Sequence, residues 1–109
     1  MLDLEKKTCV PCKKGQPPLT ELQAGWLARE VPGWTLPPGE PRLCREFRFA
    51  DFGAAMKFVN EVADVAEAQG HHPDIQIHYN RVNLVLWTHA IEGLSENDFI
   101  LAAKINALG

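Results

Sequence analysis

The chain has 109 residues, of which 46% are hydrophobic and 23% charged, the proportions of an ordinary globular protein. This length fits one small domain and excludes two. The formal net charge of −3 argues against nucleic acid as a partner, because no surplus of basic side chains is available to neutralise phosphates. No apolar run approaches the roughly 18 residues that a membrane span needs, and no signal-peptide core stands at the N-terminus. We therefore expect a cytoplasmic protein without membrane partners.

The first 18 residues combine Lys, Cys, Gly and Pro without apolar periodicity. This pattern predicts an irregular segment over residues 1–18, followed by a domain over residues 19–109. Cys9 and Cys12 have the spacing of a metal-binding pair, but a structural zinc site needs four ligands and no second such pair follows. We therefore expect a reduced, unstructured segment. Cys44 lies in a strand-like run and is expected to be a small core residue.

The first helix is predicted to begin at Thr20, which forms a capping box with Gln23. Residues 34–36 form a short strand candidate before a Pro-rich turn, and residues 42–49 alternate apolar and charged side chains as a half-buried strand does. The apolar positions of the helix recur at helical spacing and are Leu19, Leu22, Trp26 and Leu27.

The longest helix is predicted from an N-cap at Asp51 to about Ala68, and Gly70 is expected to end it in a left-handed conformation. Two strands follow, residues 74–79 and 82–89. A last helix begins at Ser95, with Asp98 at the third helical position. The stripe expected to face the core in the longest helix consists of Phe52, Met56, Val59, Ala63 and Ala66.

The element order αββαββα predicts an α+β, two-layer fold with three helices on one face of a four-stranded antiparallel sheet. The other face of the sheet would then be free to bind a ligand. Because a small domain with an uncovered sheet buries more surface by associating, we expect a homo-oligomer, either a dimer or a tetramer.

All four histidines lie within 19 residues, and this cluster is the strongest local signal of function. A two-residue loop at Asn80-Arg81 would pair the two strands so that apolar residues match on the inner face. The same register places His72 opposite His89 if the pairing continues past Pro73. A four-residue loop would keep that register, whereas a three-residue loop would shift it and separate the two imidazoles. The outer face would then carry His72, Asp74, His78, Trp87 and His89, which suits a flat, polar heterocycle.

Several candidate residues also have a purely structural interpretation. Glu67 could orient the His71 imidazole four residues later, or the histidine could simply interact with the helix dipole. Asp98 is explained equally well as the capping partner of Ser95. Trp87 could be an exposed strand aromatic or an oligomer contact. His78 has no histidine partner and is expected to be an ordinary strand residue near the rim.

The arrangement Glu67-x3-His71-His72-Pro73-x5-Tyr79-x9-His89-x8-Asp98 resembles the signature of the pterin-4a-carbinolamine dehydratase family. The resemblance covers about residues 19–108 and includes Trp34, Phe47-Arg48-Phe49 and Gly93-Leu94-Ser95. It implies an antiparallel sheet with helices on one side. It also implies the dehydration of 4a-hydroxytetrahydrobiopterin to quinonoid dihydropterin by histidine acid–base catalysis. No cofactor is implied, because no electrons move. The product would be recycled to the tetrahydropterin that aromatic amino acid hydroxylases use.

The resemblance implies that His71 and His89 form the catalytic pair and that His72 holds the pterin ring. Asp98 and Glu67 would be supporting carboxylates. Further candidates around the substrate are Pro73, Asp74, Trp87 and Thr88, and the expected stacking of the pterin on Trp87 follows from the hairpin and not from the resemblance.

The sequence admits two alternative interpretations of the histidine cluster, and it differs from animal relatives of the family at two positions. Some members of the family act as interaction proteins that bind the dimerisation helices of a transcription factor, so a non-catalytic docking module is the alternative function. A metal site formed by the three clustered histidines is disfavoured, because adjacent residues of an extended segment point to opposite sides. Gly70 stands where an acidic residue is frequent in animal relatives, and Asn97 stands where Arg is common.

Overall fold

A computed structural model describes residues 3–108 of the chain. Three helices and a three-stranded antiparallel sheet of order β1-β3-β2 form the α+β fold. No helix within the described part of the chain is long and apolar enough to cross a membrane. The elements are α1 (Glu21–Ala28), β1 (Leu43–Arg48), α2 (Phe52–Gln69), β2 (Asp74–His78), β3 (Arg81–Leu86) and α3 (Glu96–Asn106), with short 3-10 helices at Leu4–Lys6 and His89–Ile91.

The predicted first strand at residues 34–36 is wrong, since only Thr35 pairs with β1. Thr35 and Cys44 exchange two backbone hydrogen bonds of 2.8 and 2.9 Å. The next residue that could donate on this side of the ladder is Pro37, which has no N–H group. On the other side Gly33 has a φ of +90°, which turns the chain out of the extended conformation. Among residues 3–108 the sheet therefore has three strands, with Thr35 joined to β1 by an isolated bridge, instead of four strands.

The core lies between the inner face of the sheet and the helices α2 and α3. Leu43, Leu84 and Leu86 on the sheet are fully buried in one cluster with Val62 of α2 and Phe99 of α3. Cys44 is only half-buried and is not part of that cluster, so its expected place in the core is wrong. The reason is strand alternation, because Leu43 points inward and its neighbour must point outward.

The caps of the helices are confirmed. Thr20 and Gln23 form the predicted capping box of α1, and Asp51 accepts a 2.8 Å hydrogen bond from the Ala54 amide at the start of α2. Gly70 ends α2 with a φ of +65°. These caps are contacts between residues a few positions apart. They can therefore be predicted without knowledge of the tertiary packing.

The predicted buried stripes of both helices are only partly correct: Leu27 and Ala66 are buried as expected, and other members are not. In α1, Leu22 and Trp26 are 84% and 62% exposed, while Ala24 and Leu27 face the core. In α2, the buried residues are Ala55, Phe58, Val62 and Ala66, and Phe52 is 49% exposed. Helical spacing admits more than one apolar face, and the aromatic cluster decides between them: Phe58 lies 4.6 Å from Phe47 and 5.0 Å from Phe49 between ring centroids.

The predicted hairpin register is wrong by two residues. The loop is Tyr79-Asn80, so that His78 pairs with Arg81 and Asp74 pairs with Val85 instead of Trp87. Asn80 is held by two hydrogen bonds with the Phe49 backbone, one from its side chain and one to its carbonyl. Because strand side chains alternate with a period of two, this slip leaves the inner face apolar, with Ile75 and Ile77 still directed inward.

Part of the N-terminal segment, residues 4–12, packs against α3, contrary to the expectation of an unstructured segment. Leu4 is 2% exposed and Cys9 9% exposed, and both belong to the core cluster. Lys104 of α3 donates a 2.7 Å hydrogen bond to the Glu5 carbonyl. Apart from one 3-10 turn, the segment has no regular structure, and contacts between side chains and its backbone hold it in place.

Candidate active site

An open cleft of about 540 Å³ lies where α2 ends, β3 ends, α3 begins and the N-terminal segment crosses. We call it the histidine cleft. Seven of the predicted site residues line it: His71, His72, Pro73, Asp74, Trp87, Thr88 and His89. The cleft is at one end of the sheet, where the outward-facing Asp74 lines it, and it does not extend over the open face as expected. His78 is on that open face and does not line the cleft.

The end of α2 delivers His71 to the cleft. The amide of Gly70 donates to the Glu67 carbonyl and the amide of His71 donates to the Ala66 carbonyl, both at 3.3 Å. This pair of hydrogen bonds, with the left-handed glycine between them, is the Schellman ending of a helix. It turns the chain sharply, so that His71 and His72 leave the helix axis together and enter the cleft.

His71 is fixed by the buried carboxylate of Asp98. Nε2 of His71 lies 2.6 Å from Oδ1 of Asp98, whose side chain is 0% exposed. Oδ2 of the same carboxylate accepts hydrogen bonds of 2.9 Å from the Thr88 hydroxyl and from the Ser95 amide. Asp98 therefore caps α3 and orients the histidine at the same time, so the two interpretations of this residue are compatible.

Ser95 and Thr88 extend this network by one step. Their hydroxyl oxygens are 2.7 Å apart, and because the Thr88 hydroxyl donates to Asp98, the Ser95 hydroxyl is the donor to Thr88. Both residues are buried. A buried carboxylate surrounded by donors is a rigid acceptor, which fixes the plane and tautomer of the imidazole bonded to it.

The predicted pairing of Glu67 with His71 is wrong. Oε1 of Glu67 lies 2.8 Å from Nε2 of His72 instead, and both side chains are largely exposed. The i, i+4 rule assumes a continuing helix, and the turn at Gly70 removes His71 from that geometry. The carboxylate orients the second histidine of the pair, at the open side of the cleft.

His89 is placed by a contact with Trp87. The two ring centroids are 3.7 Å apart, and the guanidinium carbon of Arg42 lies 3.7 Å from the Trp87 ring. The indole N–H of Trp87 donates a 3.2 Å hydrogen bond to Asp74. His89 begins a 3-10 helix and is not the last residue of β3, so the predicted extension of this strand is wrong. The predicted pairing of His72 with His89 is also wrong, since both lie outside the ladder, yet both line the cleft.

Several residues of the cleft were not foreseen as parts of a site. Residues 9–12 and Gln69 line it, and so does Asn97 at the start of α3. In the sequence, Asn97 is distinguished only by its departure from a family pattern, and the two cysteines only by their spacing. No periodicity connects residues 9–12 with residue 97, so their meeting is a property of the tertiary structure.

The arrangement is suited to acid–base chemistry on a small polar molecule. Three imidazoles share one open cleft, one of them held by a buried carboxylate, and imidazole is the side chain that exchanges protons most readily near neutral pH. In residues 3–108, no three His, Cys, Asp or Glu side chains are grouped closely enough to hold a metal ion. The fold and the cleft thus define a small α+β domain with the features of an acid–base enzyme.

Comparison with known proteins gives the family. Residues 17–108 match the family model described as pterin 4 alpha carbinolamine dehydratase, and the chain belongs to this family of hydro-lyases. A protein of Halorhodospira halophila, provisionally named a pterin-4-alpha-carbinolamine dehydratase, is 48% identical over 108 residues that cover 99% of each chain. Pterin-4-alpha-carbinolamine dehydratase 2, mitochondrial, of Arabidopsis thaliana is 46% identical over 99% of this chain and 60% of its own length.

Two solved structures share the fold. One is a transcriptional coactivator/pterin dehydratase from Brucella melitensis, with a TM-score of 0.79 and 37% identity over 84% of this chain and 97% of that chain. The other is a pterin dehydratase-like protein described as a RuBisCO assembly factor in the alpha-carboxysome. Its TM-score is 0.60, with 27% identity over 70% of this chain and 88% of that chain.

Proposed function

We propose that this chain dehydrates a pterin 4a-carbinolamine, 4a-hydroxytetrahydrobiopterin, to the quinonoid dihydropterin. The C4a–O bond breaks, the hydroxyl leaves as water after gaining a proton, and the proton on N5 is removed as the C4a–N5 double bond forms. The reaction needs one acid and one base and no electron carrier. The observation that carries the proposal is that His71 and His89 line one cleft while buried Asp98 orients His71.

The hydrogen bonds around Asp98 support a proton-transfer role for His71. Ser95 contributes a backbone N–H and Thr88 a hydroxyl proton, so the carboxylate acts as an acceptor, and the matching donor on His71 is Nε2–H. The lone pair of the neutral ring is then on Nδ1, which has no partner among the described residues. An imidazole oriented in this way can take up a proton and return it without moving.

His89 is the second member of the proposed acid–base pair. It is exposed at the cleft, and its ring rests against Trp87, which Asp74 and Arg42 hold in turn. We infer that this stack fixes the imidazole, whereas the stacking of a pterin on Trp87 stays a prediction from the sequence. One imidazole protonates the leaving hydroxyl and the other accepts the N5 proton, a division of work worth roughly 10²–10⁴ in rate.

His72 and Glu67 are proposed to bind the pterin ring. His72 lines the cleft next to Pro73, and the exposed Glu67 carboxylate lies 2.8 Å from its Nε2. The pterin ring offers several hydrogen-bonding nitrogens and an amide-like edge, for which an imidazole paired with a carboxylate is a suitable partner. The product is then available for reduction to the tetrahydropterin that an aromatic amino acid hydroxylase uses.

The test is a stopped-flow assay with freshly generated carbinolamine. The expected result is an observed rate that rises linearly with protein concentration above the spontaneous background. A rate equal to the background at all protein concentrations would refute the proposal. In parallel, an unreactive pterin is expected to protect residues 71–89 from amide hydrogen exchange.

A docking module without catalysis is the second candidate function. It is favoured by the coactivator and assembly-factor descriptions of the two solved relatives. Under this alternative the pterin would leave hydrogen exchange in residues 71–89 unchanged, and protection would require a protein partner and would be confined to the helical face. The complete and pre-oriented set of His71, His72, His89 and Asp98 favours the enzyme.

A further inference from the structure

The N-terminal segment supplies part of the surface of the histidine cleft. All four residues 9–12 line the cleft together with the histidines. Val10 is 64% exposed and Pro11 is also exposed, so their aliphatic surface is available to a bound molecule. Small-molecule sites combine apolar surface with a few polar groups that fix orientation. The histidines, Asp74 and Thr88 provide the polar groups of this cleft, and residues 9–12 add apolar surface beside them.

The side chain of Asn97 fastens this segment to α3. Its Oδ1 accepts a 3.0 Å hydrogen bond from the Val10 amide, and its Nδ2 donates to the Val10 carbonyl at 2.5 Å. The amide group thereby pairs with the backbone of Val10 as a neighbouring strand would. Nδ2 also lies 3.5 Å from Sγ of Cys12. Asn97 is only 5% exposed, so the contact is built into the start of α3.

Cys9 anchors the segment just before these contacts. Its amide donates a 2.9 Å hydrogen bond to the Gln69 side chain at the end of α2, and its thiol lies 3.6 Å from the Asn97 carbonyl. The side chain is 9% exposed and belongs to the core cluster. The segment is therefore tied both to α2, whose end leads to His71, and to α3, which carries the Asp98 that orients His71.

We infer that residues 9–12 form a wall of the substrate site and that Asn97 is the positioning residue that holds this wall against the pterin. The inference rests on the proposed function and deepens it. The histidines approach the substrate from the ends of α2 and β3, and a flat ring can be held only if another surface meets it. Residues 9–12 provide that surface at the edge of the cleft formed by Asn97 and Gln69. The wall contributes binding and excludes water, while the proton transfers stay with the histidines.

The first test uses the three cysteines of the wild-type protein as internal probes. Burial raises the pKa of the Cys9 thiol to about 11, so Cys9 stays protonated and unreactive at neutral pH. Cys12 is half-buried and lines the cleft, whereas Cys44 is half-buried on β1 outside the cleft. Alkylation by iodoacetamide is followed at each cysteine by peptide mass spectrometry, with and without a dihydropterin that lacks the 4a-hydroxyl.

The expected result is that the dihydropterin slows alkylation of Cys12 by about tenfold when present at ten times its Kd. Alkylation of Cys44 is expected to be unchanged. If tryptophan fluorescence shows that the dihydropterin binds while Cys12 is not protected, the inference is overturned and the proposed function stands. If the dihydropterin does not bind and the carbinolamine is not dehydrated above its spontaneous rate, the proposed function fails. The inference then fails with it.

The second test compares Asn97→Ala with Glu96→Ala. Glu96 is the adjacent residue of α3 and also contacts the N-terminal segment, through an exposed 3.3 Å ion pair with Lys7. Asn97→Ala is expected to raise KM by about 5- to 30-fold with kcat within about twofold, since it removes binding surface and no reacting group. It should also abolish the protection of Cys12. Glu96→Ala should change neither parameter by more than about twofold. An unchanged KM in Asn97→Ala, or a lowered kcat at constant KM, would overturn the inference.

Discussion

Asp98 combines a capping contact at the start of α3 with a contact to a histidine of the cleft. The sequence allowed two interpretations, a capping residue or a supporting carboxylate, and the geometry combines them. One oxygen faces His71, and the other accepts from Ser95 and Thr88. A carboxylate has two oxygens and about four acceptor positions, so capping the helix leaves positions free to accept a hydrogen bond from His71. A capping motif is therefore no argument against a role in the site.

His89→Ala is expected to lower kcat for dehydration by roughly 10²–10⁴, because it removes one of the two proposed proton-transfer groups. The residue is exposed and loses only its ring contact with Trp87, so the free energy of unfolding should fall by no more than about 1.5 kcal/mol. Stopped-flow kinetics and chemical denaturation measure the two quantities. His78→Ala is the matched control, since His78 is an exposed histidine outside the cleft and should leave kcat unchanged. Near-normal turnover in His89→Ala would exclude His89 from the acid–base pair.

The buried thiol of Cys9 makes stability depend on pH in the alkaline range. Because burial raises its pKa from 9.0 to about 11, the native state keeps this proton between pH 9 and 11 after the unfolded chain has lost it. The unfolded state then binds fewer protons, so the free energy of unfolding falls as pH rises through this window. Below about pH 9 the contribution is fully present.

Cys9→Ala is expected to make that decline shallower by up to about 1.4 kcal/mol per pH unit. Urea denaturation from pH 8 to 11 measures it. Thr8→Ala is the matched control, since it removes an exposed, non-ionisable side chain next to Cys9 and should decline as the wild type does. Equal slopes in the wild type and Cys9→Ala would contradict the assignment.

At the level of the elements, the end of α2 determines which carboxylate each of the two adjacent histidines contacts. Helical spacing paired Glu67 with His71, but the left-handed Gly70 ends the helix between them, so Glu67 meets His72 and His71 meets Asp98. A pairing rule holds only as long as the element that defines it continues. The sequence predicts that Gly70 ends the helix, but it does not predict that His71 consequently contacts Asp98.

Gly70→Ala is expected to lower the free energy of unfolding by about 1 kcal/mol, because a side chain disfavours the φ of +65° found there. An added Cβ would meet no atom within 4 Å, so the cost is conformational and not steric. Gly25→Ala is the matched control: that glycine is inside α1, also with no neighbour within 4 Å, and should gain about 0.5–1 kcal/mol. Urea denaturation compares both with the wild type, and a stabilised Gly70→Ala would contradict the argument.

The hairpin was predicted with the correct inner face and the wrong loop. Alternation determines which residues face the core, and a shift of two residues preserves it, so the pattern could not distinguish between the two registers. The distinction comes from outside the hairpin, where Asn80 bonds to Phe49 and Tyr79 takes a φ of +53°. Turn propensity favours other residues at these positions and gave no indication of this choice.

At the scale of the whole molecule, we expect the chain to associate in solution. Within the described residues β2 pairs only with β3, so one edge of the sheet is open, and Ile77 on this strand is 37% exposed. Open edges with exposed apolar side chains favour pairing with another chain. Size-exclusion chromatography with light scattering is expected to give a dimer or tetramer of the 12.2 kDa chain. A monomer at all micromolar concentrations would contradict the expectation.

The N-terminal segment illustrates what composition misses. Pro, Lys and Gly without periodicity are typical of an unstructured tail, yet Leu4 and Cys9 are buried and residues 9–12 line the cleft. The partners of this segment lie about 60 to 99 residues away, and they bond mainly to its backbone. Contacts to the backbone place little constraint on the type of residue, so they cannot be predicted from the sequence.

The sequence by itself determined the three helices, their caps, the inward-facing residues of the strands, and which histidines are candidates for the site. These depend on contacts within a few residues, on alternation, and on a motif with fixed gaps. The tertiary structure decided which carboxylate meets which imidazole, where the cleft lies, how many strands the sheet has and that residues 9–12 belong to the cleft. Those outcomes depend on which of several equally apolar faces packs inward and on backbone contacts between distant residues, and neither is written in a local pattern.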